Sequence, residues 1–222
     1  MPLNRVIISR RITSILDELS RLTNALYAMN MTDIQRYPEN YEALSVDAAL
    51  RAEQIACRLR HLIYTTTGMR KEEYLSSAST MLNIGIQCKD GIVEISLPSL
   101  LPKRKQHLSG EFLLDPLHNA LAQYAKSCPL PHFHHCVVCF SHIYSRDLPD
   151  RRVRDYDNLE LKQLLDIVAS FLMTDDSGLL CDAYNTTEIG ENDATRISVM
   201  DSGQFSIWLQ AREKALQAIS DF

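Results

Sequence analysis

The sequence has no apolar run near the roughly 18 to 20 residues that span a bilayer. Glycine is scarce, at 7 of 222 residues, and there are 8 prolines. These counts exclude collagen-like and mucin-like chains, and a 45% hydrophobic content excludes a mostly disordered one. Met1 to Arg11 has neither the apolar segment nor the small-residue cleavage site of a secretory signal, so a cytoplasmic protein is expected. No Walker loop, dinucleotide fingerprint or Gly-x-Ser-x-Gly elbow occurs. Internal repeats and low-complexity tracts are absent. There is no basic excess either. The net charge is −5, which argues against a broad nucleic-acid-binding surface.

That charge is unevenly spread. Residues 1–90 carry 11 basic and 10 acidic groups, whereas residues 91–200 carry 10 and 15. The acidic excess coincides with the densest carboxylate clusters, as it would around a divalent cation whose charge offsets theirs. The six cysteines, Cys57, Cys88, Cys128, Cys136, Cys139 and Cys181, are dispersed and fit reduced thiols better than a disulfide framework.

Residues 4–29 read as an amphipathic helix, with Ile8, Ile12, Ile15, Leu19, Leu22 and Leu26 at alternating spacings of four and three. Asn30 and the Tyr37-Pro38 step end it or begin a linker. A second helix is expected from Ser45, as N-cap, to Tyr64, packed antiparallel on the first. The heptad-like spacing also fits a dimer seam, but under three heptads favour packing within the chain. A short helix is expected over 71–81. The period then changes to two: Ile84 and Ile86, the turn Lys89-Asp90-Gly91, and Ile92 to Leu97 read as a β-hairpin. Lys103-Arg104-Lys105 lies on a loop before a helix over 111–126. Phe133 to Tyr144 reads as a strand and Asp147 to Asp157 as a charged loop. A helix over Leu159 to Leu172, an acidic turn at Thr174 to Gly178, strands at Leu179 to Tyr184 and Thr195 to Met200, and a helix over 204–220 complete the chain. The expected fold class is α+β, a mixed sheet with packed helices. The expected parts are a helical module over 1–70, an α+β domain over 71–200 and a C-terminal helix over 201–222.

Asp155 and Asp157 stand at i, i+2, which on extended backbone puts both side chains on one side. Two such carboxylates repel unless a cation sits between them. Arg151, Arg152 and Arg154 precede them and suit phosphate or carboxylate. Asp175-Asp176 follows the next helix. If its turn returns to the first pair, three carboxylates form an oxygen-ligand site for Mg²⁺ or Mn²⁺. The same residues have plainer readings: Asp157 with Glu160 makes a capping box, and Asp175 to Gly178 is an ordinary turn. Lys103, Arg104, Lys105 and the three arginines fit contacts to a phosphate backbone, although for the Lys103–Lys105 loop solvated charge is the more common explanation. Cys136 and Cys139, with His132, His134, His135 and His142 nearby, have zinc-like spacing. On a strand, however, the two cysteines point to opposite faces, and Cys136, Val138 and Phe140 read as core.

Asp150-Arg151-Arg152-Val153-Arg154-Asp155-Tyr156-Asp157-Asn158-Leu159, with Asp175-Asp176 after a helix, resembles the signature of the RusA-type Holliday-junction resolvases. The resemblance covers about residues 91–200. It implies a homodimeric Mg²⁺-dependent (or Mn²⁺-dependent) endonuclease acting on branched DNA. It also implies that Asp155, Asp157 and Asp176 bind the metal, with Lys103, Arg104, Lys105, Arg151, Arg152 and Arg154 available to DNA. The family's catalytic lysine falls at Leu161 here, with Lys162 one residue on. More distantly the chain is similar to an uncharacterised bacterial family associated with mobile elements. Two alternatives stand beside the nuclease: a catalytically inactive RusA-like module that binds DNA or protein, and a zinc-stabilised binding module using Cys136 and Cys139.

Overall fold

The computed structural model describes residues 5–101, 110–147 and 153–220. The chain divides into two compact units, Met1–Tyr74 and Leu75–Phe222. Among the described residues no helix is long and apolar enough to cross a membrane.

The first unit is a helical hairpin of α1 (Arg5–Met31) and α2 (Pro38–Thr66). The helices run antiparallel: Arg11 reaches Thr65, Arg58 reaches Ser14, and Arg51 reaches Glu18. Pro38 opens α2 instead of marking a linker, because a proline in the first turn lacks only an N–H that has no helical partner anyway. Ser45 therefore lies inside the helix, its hydroxyl donating to the Tyr41 carbonyl, and is not the cap. Ile15, Ala25, Ala48 and Ile55 are buried. Of the α1 apolar stripe, Ile12, Leu19 and Leu26 stay exposed, since one neighbouring helix covers only part of a broad apolar arc.

α3 (Lys71–Met81) precedes the second unit's sheet. β1 (Gly85–Lys89) and β2 (Ile92–Leu97) form the expected hairpin. Asp90 and Gly91 occupy its turn with φ of 53° and 78°, the left-handed pair that matches the twist of the strands. α4 (Gly110–Ser127) leads to β3 (Cys136–Ser145). α5 (Lys162–Leu172) leads to β4 (Cys181–Gly190), β5 (Ala194–Asp201) and α6 (Phe205–Ser220). The sheet order is β1-β2-β5-β3-β4, with β3 and β4 parallel and the other pairs antiparallel. The fold is α+β with a five-stranded mixed sheet, as expected.

β3 lies between β4 and β5 and is covered on both faces, so it lacks the polar–apolar alternation of a half-exposed strand. Cys136, Val138 and Phe140 join Leu117 and Leu121 of α4 and Leu164, Val168 and Leu172 of α5 in the main core. Val137 and Cys139 face the other way, packing with Met200, Phe205 and Trp208. The α5 residues at i, i+4, i+8 are almost wholly inaccessible, so this helix is held by its apolar stripe and not by a cap.

Candidate nucleic-acid interface

Where β3 and β4 end, the chain brings together groups that are far apart in sequence. The Arg154 backbone N–H donates to the phenolic oxygen of Tyr144 at 3.1 Å. Its guanidinium donates to the Leu101 carbonyl at 3.3 Å. Leu101 immediately precedes the segment carrying Lys103, Arg104 and Lys105, and Arg154 follows the one carrying Arg151 and Arg152. Those five residues lie outside the described residues, but the roots of their two segments meet at the Arg154–Leu101 bond.

Asp155 flanks, and Asp157 occupies, a single 3-10 turn over Tyr156–Asn158, and both aspartates are exposed. The capping box does not form. α5 starts later, at Lys162, with Leu161 as an N-cap that makes no side-chain bond, so the Asp157 carboxylate is not used for capping. Two exposed carboxylates and an arginine therefore share the carboxyl end of a parallel strand pair, the end where open sheets with parallel strands commonly take ligands.

Beneath this turn lies a polar cluster that sequence reasoning did not identify. The Tyr156 ring stacks on His142 of β3, with centroids 5.4 Å apart and planes at 30°. The Tyr156 hydroxyl shares a 3.0 Å hydrogen bond with Thr187 of β4, and His142 Nε2 lies 3.3 Å from Asn185 Oδ1. His142 is fully buried and its Nδ1 has no hydrogen-bond partner among the described residues. Burial pushes its pKa below the usual histidine value, opposed in part by the Asn185 bond, so the ring is held neutral. From the α6 side, Arg212 pairs with Glu188 at 2.9 Å and donates to the Thr187 carbonyl, fixing the strand that anchors Tyr156. Only the parallel register, which sets His142 opposite Thr187, assembles this cluster, and no spacing in the sequence signals it.

Asp176 is elsewhere. The eleven residues of α5 carry the chain about 16 Å back along the sheet. At the far end the Phe133 N–H donates to the Leu172 carbonyl, the Thr174 N–H donates to the Phe133 carbonyl, and Phe133 bridges Met173. Asp175 and Asp176 follow there, just before Cys181 pairs with Cys136 at the start of both strands. The eight residue steps from Cys136 to Tyr144 span about 26 Å of strand. The expectation that Asp155, Asp157 and Asp176 converge is therefore corrected for a single chain. β4 does lie beside β3, but parallel to it, so the turn that starts β4 sits at the opposite end. Among the described residues no group of three or more His, Cys, Asp or Glu is placed to hold a metal ion. The three-aspartate set does not fit a metal within one chain.

Lys162 begins α5, is 77% exposed in its side chain and pairs loosely with Asp166 one turn on, at 3.5 Å. Leu161, one residue before it, packs against the main core. The zinc arrangement is also corrected: Cys136 and Cys139 lie in the cores on opposite faces of the sheet and cannot share an ion. Burial pushes both thiols up to about 12. His134 instead contacts Thr174 at 3.4 Å and stacks edge-on with His135.

The profile of a family of unknown function (DUF6100) matches residues 4–222. The chain belongs to this family. The match spans the helical hairpin as well as the sheet. No curated protein matches the chain.

Proposed function

We propose that this protein binds branched DNA through phosphate contacts at the carboxyl end of β3 and β4, and cuts it as the resemblance to RusA-type resolvases implies. The observation that carries this is the Arg154–Leu101 hydrogen bond, which joins the roots of both basic segments beside Asp155 and Asp157. Backbone contacts of this kind position DNA without reading base edges, which suits recognition by shape. Mg²⁺ is commonly held by one or two carboxylates plus waters and substrate phosphates, a donor set that Asp155 and Asp157 match in kind. When bound, such an ion supplies charge stabilisation to a phosphodiester under attack. Arg154, tied to Tyr144 and Leu101, holds its positive charge at that place. A homodimer and a cytoplasmic location belong to the same proposal.

A second reading is a non-catalytic RusA-like module that binds DNA or a protein partner. The position of Asp176 at the far end of the sheet favours it, as does Lys162 turned toward Asp166. A labelled four-way junction incubated in Mg²⁺, Mn²⁺ or EDTA, beside Asp157→Asn and Arg154→Gln, separates the two. Metal-dependent nicking lost in Asp157→Asn supports the nuclease. Binding without cleavage, weakened in Arg154→Gln, supports the module. An intact junction that the protein does not bind overturns the nuclease and the DNA-binding form of the module.

A further inference from the structure

The helical hairpin is electrically divided along its length. Residues 5–16 and 54–68, which the antiparallel packing sets side by side, hold Arg5, Arg10, Arg11, Arg58, Arg60 and His61 and no carboxylate. Residues 17–53 hold seven carboxylates and three arginines. The ion pairs follow that division. Glu18 is shared by Arg21 and Arg51, and Arg51 also takes Asp47. At the basic end, Arg11 and Arg58 bond to hydroxyls, those of Thr65 and Ser14. A hydroxyl orients a guanidinium without neutralising it, so both cations keep their full charge.

These two arginines face a groove of about 550 Å³ between α1 and α2, lined also by Ser14, Gln54 and His61 and by the apolar Ile15, Cys57 and Leu62. Arg10 stands one helical turn before the groove residue Ser14 on α1. We propose that this groove seats the phosphates of a nucleic-acid strand. Cations on both walls, fixed by neutral partners and flanked by Ser14, Gln54 and His61, form a phosphate-tracking rim over an apolar floor of Ile15, Cys57 and Leu62. This contact goes beyond the sheet-end reading and stands on different residues.

The test is fluorescence anisotropy of the full chain with labelled oligothymidine and with a four-way junction, over a range of salt. The variants are the pair Arg11→Gln/Arg58→Gln, the control pair Arg21→Gln/Arg36→Gln from the acidic part, and Arg154→Gln. The groove pair is expected to weaken oligothymidine binding at least about tenfold and to flatten the salt slope by about 1.4, the release expected for two single-strand phosphate contacts. The control pair should change neither. Circular dichroism checks the fold, and the single variant Arg10→Gln, at an exposed position, should give a smaller loss in the same direction. Absent binding by the unaltered chain, an unchanged slope in the groove pair, or equal loss in the control pair overturns the proposal. A mononucleotide bound as tightly as the oligomer overturns the strand. Capture by phosphatidylserine vesicles that depends on Arg11 and Arg58 while oligothymidine binding does not assigns the groove to lipid and also overturns it. Loss confined to Arg154→Gln leaves the sheet-end contact standing and removes this one; the reverse removes the sheet-end contact alone.

Discussion

His142 lies under Tyr156, ring on ring at 5.4 Å, joining the β3 interior to the turn that carries Asp157. The imidazole is fully buried beneath an exposed acidic turn.

Burial lowers the His142 pKa in the folded protein, so below about the ordinary 6.5 the unfolded chain binds a proton that the folded chain does not. Stability from this residue is complete above that value and falls as the pH drops toward the folded pKa. His142→Phe, which keeps a ring for Tyr156 and removes the unpartnered Nδ1, should flatten the decline of melting temperature below pH 6.5. Parallel curves for the two proteins would show that other groups set the acid limit.

If metal-dependent nicking is found, Asp155→Asn and Asp157→Asn should each reduce it by at least about a hundredfold, some 2.7 kcal/mol of barrier. Asp176→Asn should stay within a few-fold of the unaltered protein, because α5 separates it from the pair. Equal loss in all three would require Asp176 to reach the site from a second copy, and the molecular mass in solution would then decide.

Phe140 is 1% exposed at the centre of the main core. Phe140→Ala should cost about 3–5 kcal/mol in denaturant unfolding. A loss below about 1 kcal/mol would mean that the core collapses around the gap.

Thiol titration should separate the cysteines by burial. Cys88 and Cys128 are exposed and should react quickly with a disulfide reagent at neutral pH. Cys136, Cys139 and Cys181 are buried with their pKa values raised, and should react only after unfolding. Fast reaction of all three would place a cooperative opening of β3 near the native state.

Gly91 holds φ at +78°, and a Cβ there would meet the Gln204 side chain at 3.0 Å. Gly91→Ala should cost about 1 kcal/mol or more in thermal or denaturant melts. An unchanged melt would mean that the turn relaxes to another type.

The sequence by itself determined the local elements. The period of two in Ile84 to Leu97, broken at Asp90-Gly91, specifies the hairpin. The four-and-three spacing of Leu161, Leu164, Leu165, Val168 and Leu172 specifies a helix, and alternation along β3 sends Cys136 and Cys139 to opposite cores. Such features depend on neighbours within a few residues, whose side-chain directions follow from backbone geometry alone. Where helices start was less legible: Pro38 and Lys162 begin theirs without the side-chain caps that make a start visible. The candidate site was decided by tertiary structure. Asp157 and Asp176 are nineteen positions apart whichever way β4 runs, and only its parallel pairing with β3 sends Asp176 to the far end. The same pairing places Asn185 and Thr187 around His142 and Tyr156, and antiparallel packing of α1 on α2 sets Arg11 beside Thr65 and Arg58 beside Ser14. Strand direction and helix partnership are settled by long-range burial and hydrogen bonding, which no local spacing of residues encodes.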